Sequence, residues 1–174
     1  MEKENKYGII LDGKMDEAAW ETAQEYTGFV RLQDHGGQMA EQQTFFKILP
    51  CEDRVYFGFK CMEPDRQQVI DTAPNRAIWE TDRVELFISP AGKALDFYQF
   101  VLTFGGVKVT EYYIEEGRTK PGPYLPEWHT ATYAGEDFWS AEIELPLSAF
   151  FNTPNVSWSD TWTINIARGR TYAG

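Results

Sequence analysis

Trp79, Glu80, Asp82 and Glu85 stand together at the start of an apolar run that continues through Ile88. An aromatic plate beside carboxylates is chemistry suited to a sugar. The C–H faces of the ring stack on the indole, and hydroxyls donate to the acids. Paired carboxylates also cleave glycosidic bonds, so a binder and a glycosidase are both candidates. Strand parity separates them. Val84, Leu86 and Ile88 alternate with Arg83, Glu85 and Phe87, which predicts a strand with the first set turned inward. Asp82 and Glu85 have opposite parity and fall on opposite faces. Glu80 and Asp82 share a face but lie at the strand mouth, where the burial that raises an acid's pKa is not expected. One plate and one acceptor remain, Trp79 and Glu85. The plain alternatives are a half-buried edge tryptophan, and a solvated glutamate or one paired with Arg83 or Arg170.

Gln99 is expected on the next strand of the same sheet, with an amide that both donates and accepts. Arg168 and Arg170 close the last strand pattern. A guanidinium fork fits vicinal hydroxyls or orients Glu85, and it equally fits structural pairing with the many carboxylates. Asp12, Asp16, Glu17 and Asp82 are candidate Ca²⁺ ligands, with Asp12 and Asp16 foremost, although no calcium-loop pattern is present. The other reading of these acids is turn formation at Asp12-Gly13 and a helix start at Asp16. His35 and His129 show no zinc-ligand spacing. The sugar chemistry itself requires no cofactor.

These residues need a rigid scaffold, and the sequence reads as β throughout. Gln43–Cys51 and Arg54–Met62 form two strands around Glu52-Asp53. Phe97–Phe104 and Val107–Ile114 flank Gly105-Gly106, a hairpin signal. Trp139, Ala141, Ile143 and Leu145 alternate with polar neighbours, as do Trp162, Ile164 and Ile166. Helical signal is confined to a turn or two within Asp12–Trp20 and a short turn at Leu147–Phe151. Gly117–Trp128 carries Pro121, Pro123 and Pro126 and reads as a long loop, a common home for function. The expected fold is all-β, an antiparallel β-sandwich or jelly roll with one or two short helical turns.

The chain of 174 residues suits a single domain, 1–174. Aromatic residues make up 16%, in keeping with β-structure and binding platforms. The net charge of −11 argues against nucleic acid and anionic membrane as partners, since both want a basic surface. No apolar run reaches the ~20 residues of a membrane span. Met1–Lys6 lacks the apolar centre of a signal peptide, which leaves either a cytoplasmic chain or an export signal outside it. Cys51 and Cys61 are expected at the turn and far up the return strand of one hairpin, ~25 Å apart at ~3.3 Å per residue, and so unbridged.

Six segments in order resemble one family. Leu11-Asp12-Gly13-Lys14-Met15-Asp16-Glu17-Ala18-Ala19-Trp20, Glu52 through Phe59, Trp79 through Ile88, Tyr98-Gln99-Phe100, Trp139 through Leu147 and Trp162 through Arg170 are similar to the motifs of family 9 carbohydrate-binding modules. The resemblance implies a DOMON-like β-sandwich that binds carbohydrate without catalysis. The implied ligands are ends of glucan or xylan chains, or small sugars. It implies a sugar-stacking Trp79, the ligand glutamate at Glu85 and, in some members, structural Ca²⁺. Members are often attached to xylanases and related secreted glycoside hydrolases. The resemblance therefore implies a linked hydrolase domain and an extracellular, periplasmic or cell-surface setting. It also implies a second aromatic wall late in the domain, for which Trp128, Tyr124 and Tyr172 are the candidates. The same superfamily includes haem binders with His or Met ligands, which would direct attention to the histidines, Met39 and Met62, and it includes protein-interaction domains.

Overall fold

The computed structural model describes residues 6–32, 37–65, 77–90, 96–153 and 161–170. Among them nine strands form two antiparallel sheets. The first sheet holds β1 (Glu25–Tyr26), β2 (Thr44–Pro50), β3 (Arg54–Met62), β7 (His129–Ala134) and β8 (Phe138–Pro146), in the order β1-β2-β3-β8-β7. The second holds β4 (Arg83–Ser89), β5 (Phe97–Thr103), β6 (Lys108–Tyr113) and β9 (Thr163–Gly169), in the order β6-β5-β4-β9. The expected all-β sandwich is what the chain forms.

Alternation builds the core. Val55, Phe57, Phe59 and Cys61 of β3 lie opposite Leu145, Ile143, Ala141 and Trp139 of β8. Partners in an antiparallel pair share a face, so all eight point the same way. Val84, Leu86 and Ile88 of β4 face them from the other sheet, beside Leu102, Phe100 and Tyr98 of β5. All of these side chains are buried. Cys51 and Cys61 are free thiols.

Three local expectations change. The helix is confined to α1 (Ala18–Thr22), with Glu17 at its N-cap. Asp16 therefore does not start it, and Glu17 uses a carboxylate oxygen to accept the Ile10 amide at 2.7 Å. Strand β7, unforeseen, is a half-exposed edge of Thr and Ala without an apolar alternation to announce it. The proline-bearing segment before it crosses from β6 to β7 and plugs the sandwich with Tyr124 and Trp128. The Tyr124 hydroxyl donates to the Ala149 carbonyl at 2.6 Å.

The outer face of the first sheet is covered by the N-terminal segment. Ile9 and Trp20 pack on Leu49 and Tyr56 in a satellite core. A Cβ at Gly58 would stand 2.4 Å from the Met15 methyl, so the bare glycine admits that side chain. Glu142, fully buried, accepts the Asp12 and Gly13 amides at 3.0 and 2.8 Å and the Trp20 indole N–H at 2.8 Å. Burial raises its pKa, and those donors pull the other way.

Candidate functional site on the outer face of the four-stranded sheet

Arg83, Glu85 and Phe87 project from the outer face of β4, opposite the core set. Glu85 lies opposite Val101 on β5 and Ala167 on β9. Gln99 is one step along the same face of β5, diagonal to Glu85. Both Glu85 oxygens are engaged: Arg83 Nε donates to Oε1 at 2.8 Å and Gln99 Nε2 to Oε2 at 2.9 Å. The Tyr113 hydroxyl of β6 donates to Gln99 Oε1 at 3.2 Å. A polar chain thus runs across three strands of a rigid sheet. Glu85 is 8% exposed and Gln99 6%, so their oxygens act in surroundings drier than bulk water.

Trp79 stands at the mouth of this strip, on a 3-10 turn, Ile78–Glu80. The Thr81 hydroxyl donates to the Ile78 carbonyl at 2.7 Å and holds the turn closed. Arg83 Nη1 donates to the Trp79 carbonyl at 2.9 Å. Its guanidinium carbon lies 5.2 Å from the Trp79 ring centroid, within cation–π reach. Trp79 is 53% exposed, an open apolar plate next to a held carboxylate. Trp79, Glu85 and Gln99 are therefore brought together. Arg83 joins them, as a residue that sequence reasoning noted only as a possible partner of Glu85. Its parity, shared with Glu85, was the available signal.

Arg168 and Arg170 go elsewhere. Arg168 is the register partner of Val84 and so faces inward. It donates to Asp82 Oδ2 at 2.8 Å, Glu63 Oε2 at 3.2 Å and the Met62 carbonyl at 2.9 Å. Arg170 donates to both Glu63 oxygens, at 2.6 and 2.8 Å. These groups tie the end of β3 to the starts of β4 and the end of β9, joining the two sheets. Burial raises the Glu63 carboxyl, but the Arg170 hydrogen bond and the two guanidinium charges outweigh it and hold it below its ordinary value. Asp82 is buried, contrary to the expectation of a solvated strand mouth, because the ends of β3 and β9 close over it, and burial raises its pKa against the pull of Arg168. The two arginines do not reach Glu85, and Asp82 is parted from Glu85 by the sheet itself. Asp82 and Glu85, on opposite faces, do not form a glycosidase pair.

Asp12 holds a turn, accepting the Lys14 amide at 2.9 Å and its ammonium at 2.6 Å. Both Asp12 oxygens are thus taken up by Lys14. Among the described residues no group of three or more His, Cys, Asp or Glu converges as a metal site. His129 is exposed on β7, 3.3 Å from Glu144. Met39 is exposed and Met62 half-buried, while His35 lies outside the described residues. Of the proposed second walls, Trp128 and Tyr124 are 3% exposed core residues and face no ligand strip. Tyr172 lies outside the described residues. An open cavity of about 440 Å³ lies on the other sheet, against Phe45, Lys60 and Met62. Gln43 at its rim uses its amide on the Phe29 and Ala40 backbone.

The chain is a sandwich of two antiparallel sheets, with an exposed tryptophan beside a held carboxylate on one outer face. The family model described as "Carbohydrate family 9 binding domain-like" matches residues 10–118. The chain belongs to that family of binding modules. Its fold is also that of a family 9 carbohydrate-binding module from Caldicellulosiruptor kristjanssonii. In its glucose complex that module aligns with a TM-score of 0.70 at 13% identity, over 95% of this chain and 75% of that one. Its cellotriose complex aligns with a TM-score of 0.68 at 14% identity, over 95% and 74%. A structure from Bacteroides uniformis aligns with a TM-score of 0.61 at 18% identity, over 85% and 72%. No curated protein matches the chain.

Proposed function

We propose that this chain binds glucan- or xylan-type oligosaccharides, or their terminal sugars, without breaking a bond. The sugar stacks on Trp79 and sets its hydroxyls against Glu85 and Gln99. The observation that carries the reading is the exposed Trp79 plate beside a carboxylate already oriented on both oxygens. Each Glu85 oxygen keeps a lone pair for a hydroxyl, and an acceptor held in place binds without first being ordered. Stacking adds roughly 1 kcal/mol beyond area burial. The glucose and cellotriose complexes of the similar module support the choice of sugar class. The neutral ligand suits a chain with a net charge of −11. By the family's habit, the same reading makes the chain an accessory module of a secreted glycoside hydrolase such as a xylanase.

The test is a titration with glucose, cellotriose and xylotriose, followed by tryptophan fluorescence and calorimetry. Saturable heat and quenching in the wild type, both lost in Trp79→Ala, are expected. A Trp79→Ala variant that binds as well as wild type overturns the proposal.

A further inference from the structure

Arg83 touches both the plate and the acceptor of the sugar reading, Trp79 and Glu85. Its Nε holds Glu85 at 2.8 Å, and its Nη1 holds the Trp79 and Thr81 carbonyls at 2.9 and 3.2 Å. Its guanidinium lies beside the Trp79 ring. The side chain is only 15% exposed, although it sits on the outer face of a sheet. Room for it comes from β9. Gly169 is its register partner, and a Cβ there would stand 2.4 Å from the guanidinium carbon and 2.5 Å from Nη1.

We propose that Arg83 is the positioning residue that sets the Trp79 plate relative to Glu85, and that Gly169 is the gap that admits it. The inference rests on the sugar reading for its consequence, but the positioning itself is a property of the free protein. The planar fork is what the task needs, because one group must reach a carboxylate and two carbonyls in different directions. A lysine ammonium on a single stem does not span them. Gly169 has no left-handed backbone to protect, and the atoms a methyl would meet are the far end of a flexible side chain. Gly169→Ala should therefore push the guanidinium aside while leaving the fold and the Arg83 charge in place.

The experiment compares wild type with Arg83→Ala, Arg83→Lys, Gly169→Ala and Trp79→Ala. It reads glucose, cellotriose and xylotriose affinity by calorimetry, thermal midpoint, and the Trp79 emission isolated by subtracting matched Trp79→Phe proteins. Arg83→Ala and Gly169→Ala should weaken binding about tenfold, the scale of one lost charge-assisted contact. Arg83→Lys should not restore it. All three should red-shift the Trp79 emission in the ligand-free protein, with the folded baseline retained. If Trp79→Ala abolishes binding while Arg83→Ala or Gly169→Ala binds within twofold of wild type or more tightly, the inference fails and the sugar reading stands. If wild type binds none of the three sugars, the sugar reading fails. The ligand-free emission then decides the positioning alone, with a shift supporting it and an unchanged spectrum overturning it.

Discussion

Glu85 accepts from Arg83 on one oxygen and from Gln99 on the other, so its orientation is set before a ligand arrives. Glu85→Gln keeps the shape but replaces one acceptor with an N–H aimed at a donor. Calorimetry with cellotriose should show affinity falling about 10- to 100-fold, the range for losing a hydrogen bond to a charged group. An unchanged affinity would remove Glu85 from the site. At this scale the sequence was partly legible. Polar neighbours announced an exposed Trp79, and parity placed Glu85 opposite Val84. Parity also set Arg168 with Ile166 on the inward side of β9, a signal outweighed by the chemical attraction of a guanidinium for hydroxyls. Trp128 and Tyr124 had no such signal. Nothing local tells a loop aromatic that plugs a sandwich from one that faces solvent.

Between elements, the cluster of Glu63, Asp82, Arg168 and Arg170 ties β3 to β4 and β9. Glu63 is held below its ordinary pKa, so the stability it contributes is full above its unfolded value and is lost as pH falls through the lower folded one. The difference in thermal midpoint between wild type and Glu63→Gln should therefore be largest near neutral pH and shrink as acid is added below about pH 4. A constant gap would contradict the pairing. The N-terminal segment has its own anchor in Glu142. Glu142→Ala leaves the Asp12 and Gly13 amides and the Trp20 indole without their acceptor. The loss should be about 3 kcal/mol or more in denaturant melts, with faster proteolysis before Trp20. These ties were hidden from the sequence because Glu142 and Glu63 are written like solvated positions. Only the elements that fold over them reveal the burial.

At the scale of the molecule, the sandwich was legible from period-2 apolar patterns and from the Gly105-Gly106 turn, because β3, β4, β5 and β8 each bury one complete alternating set. Edge strands were less so. β7 pairs with β8 through His129–Ala134, a stretch whose small and polar residues form no buried face of their own. The ligand strip inherits its precision from this scaffold, since Glu85 and Gln99 sit on adjacent central strands and Trp79 on a turn pinned to one of them. The most direct test is calorimetric titration of the chain with cellotriose and with xylotriose, in wild type and in Trp79→Ala. Saturable binding to the wild type that disappears in the variant, with the thermal midpoint preserved, is the predicted result. Equal binding by both proteins, or none by the wild type, would contradict it.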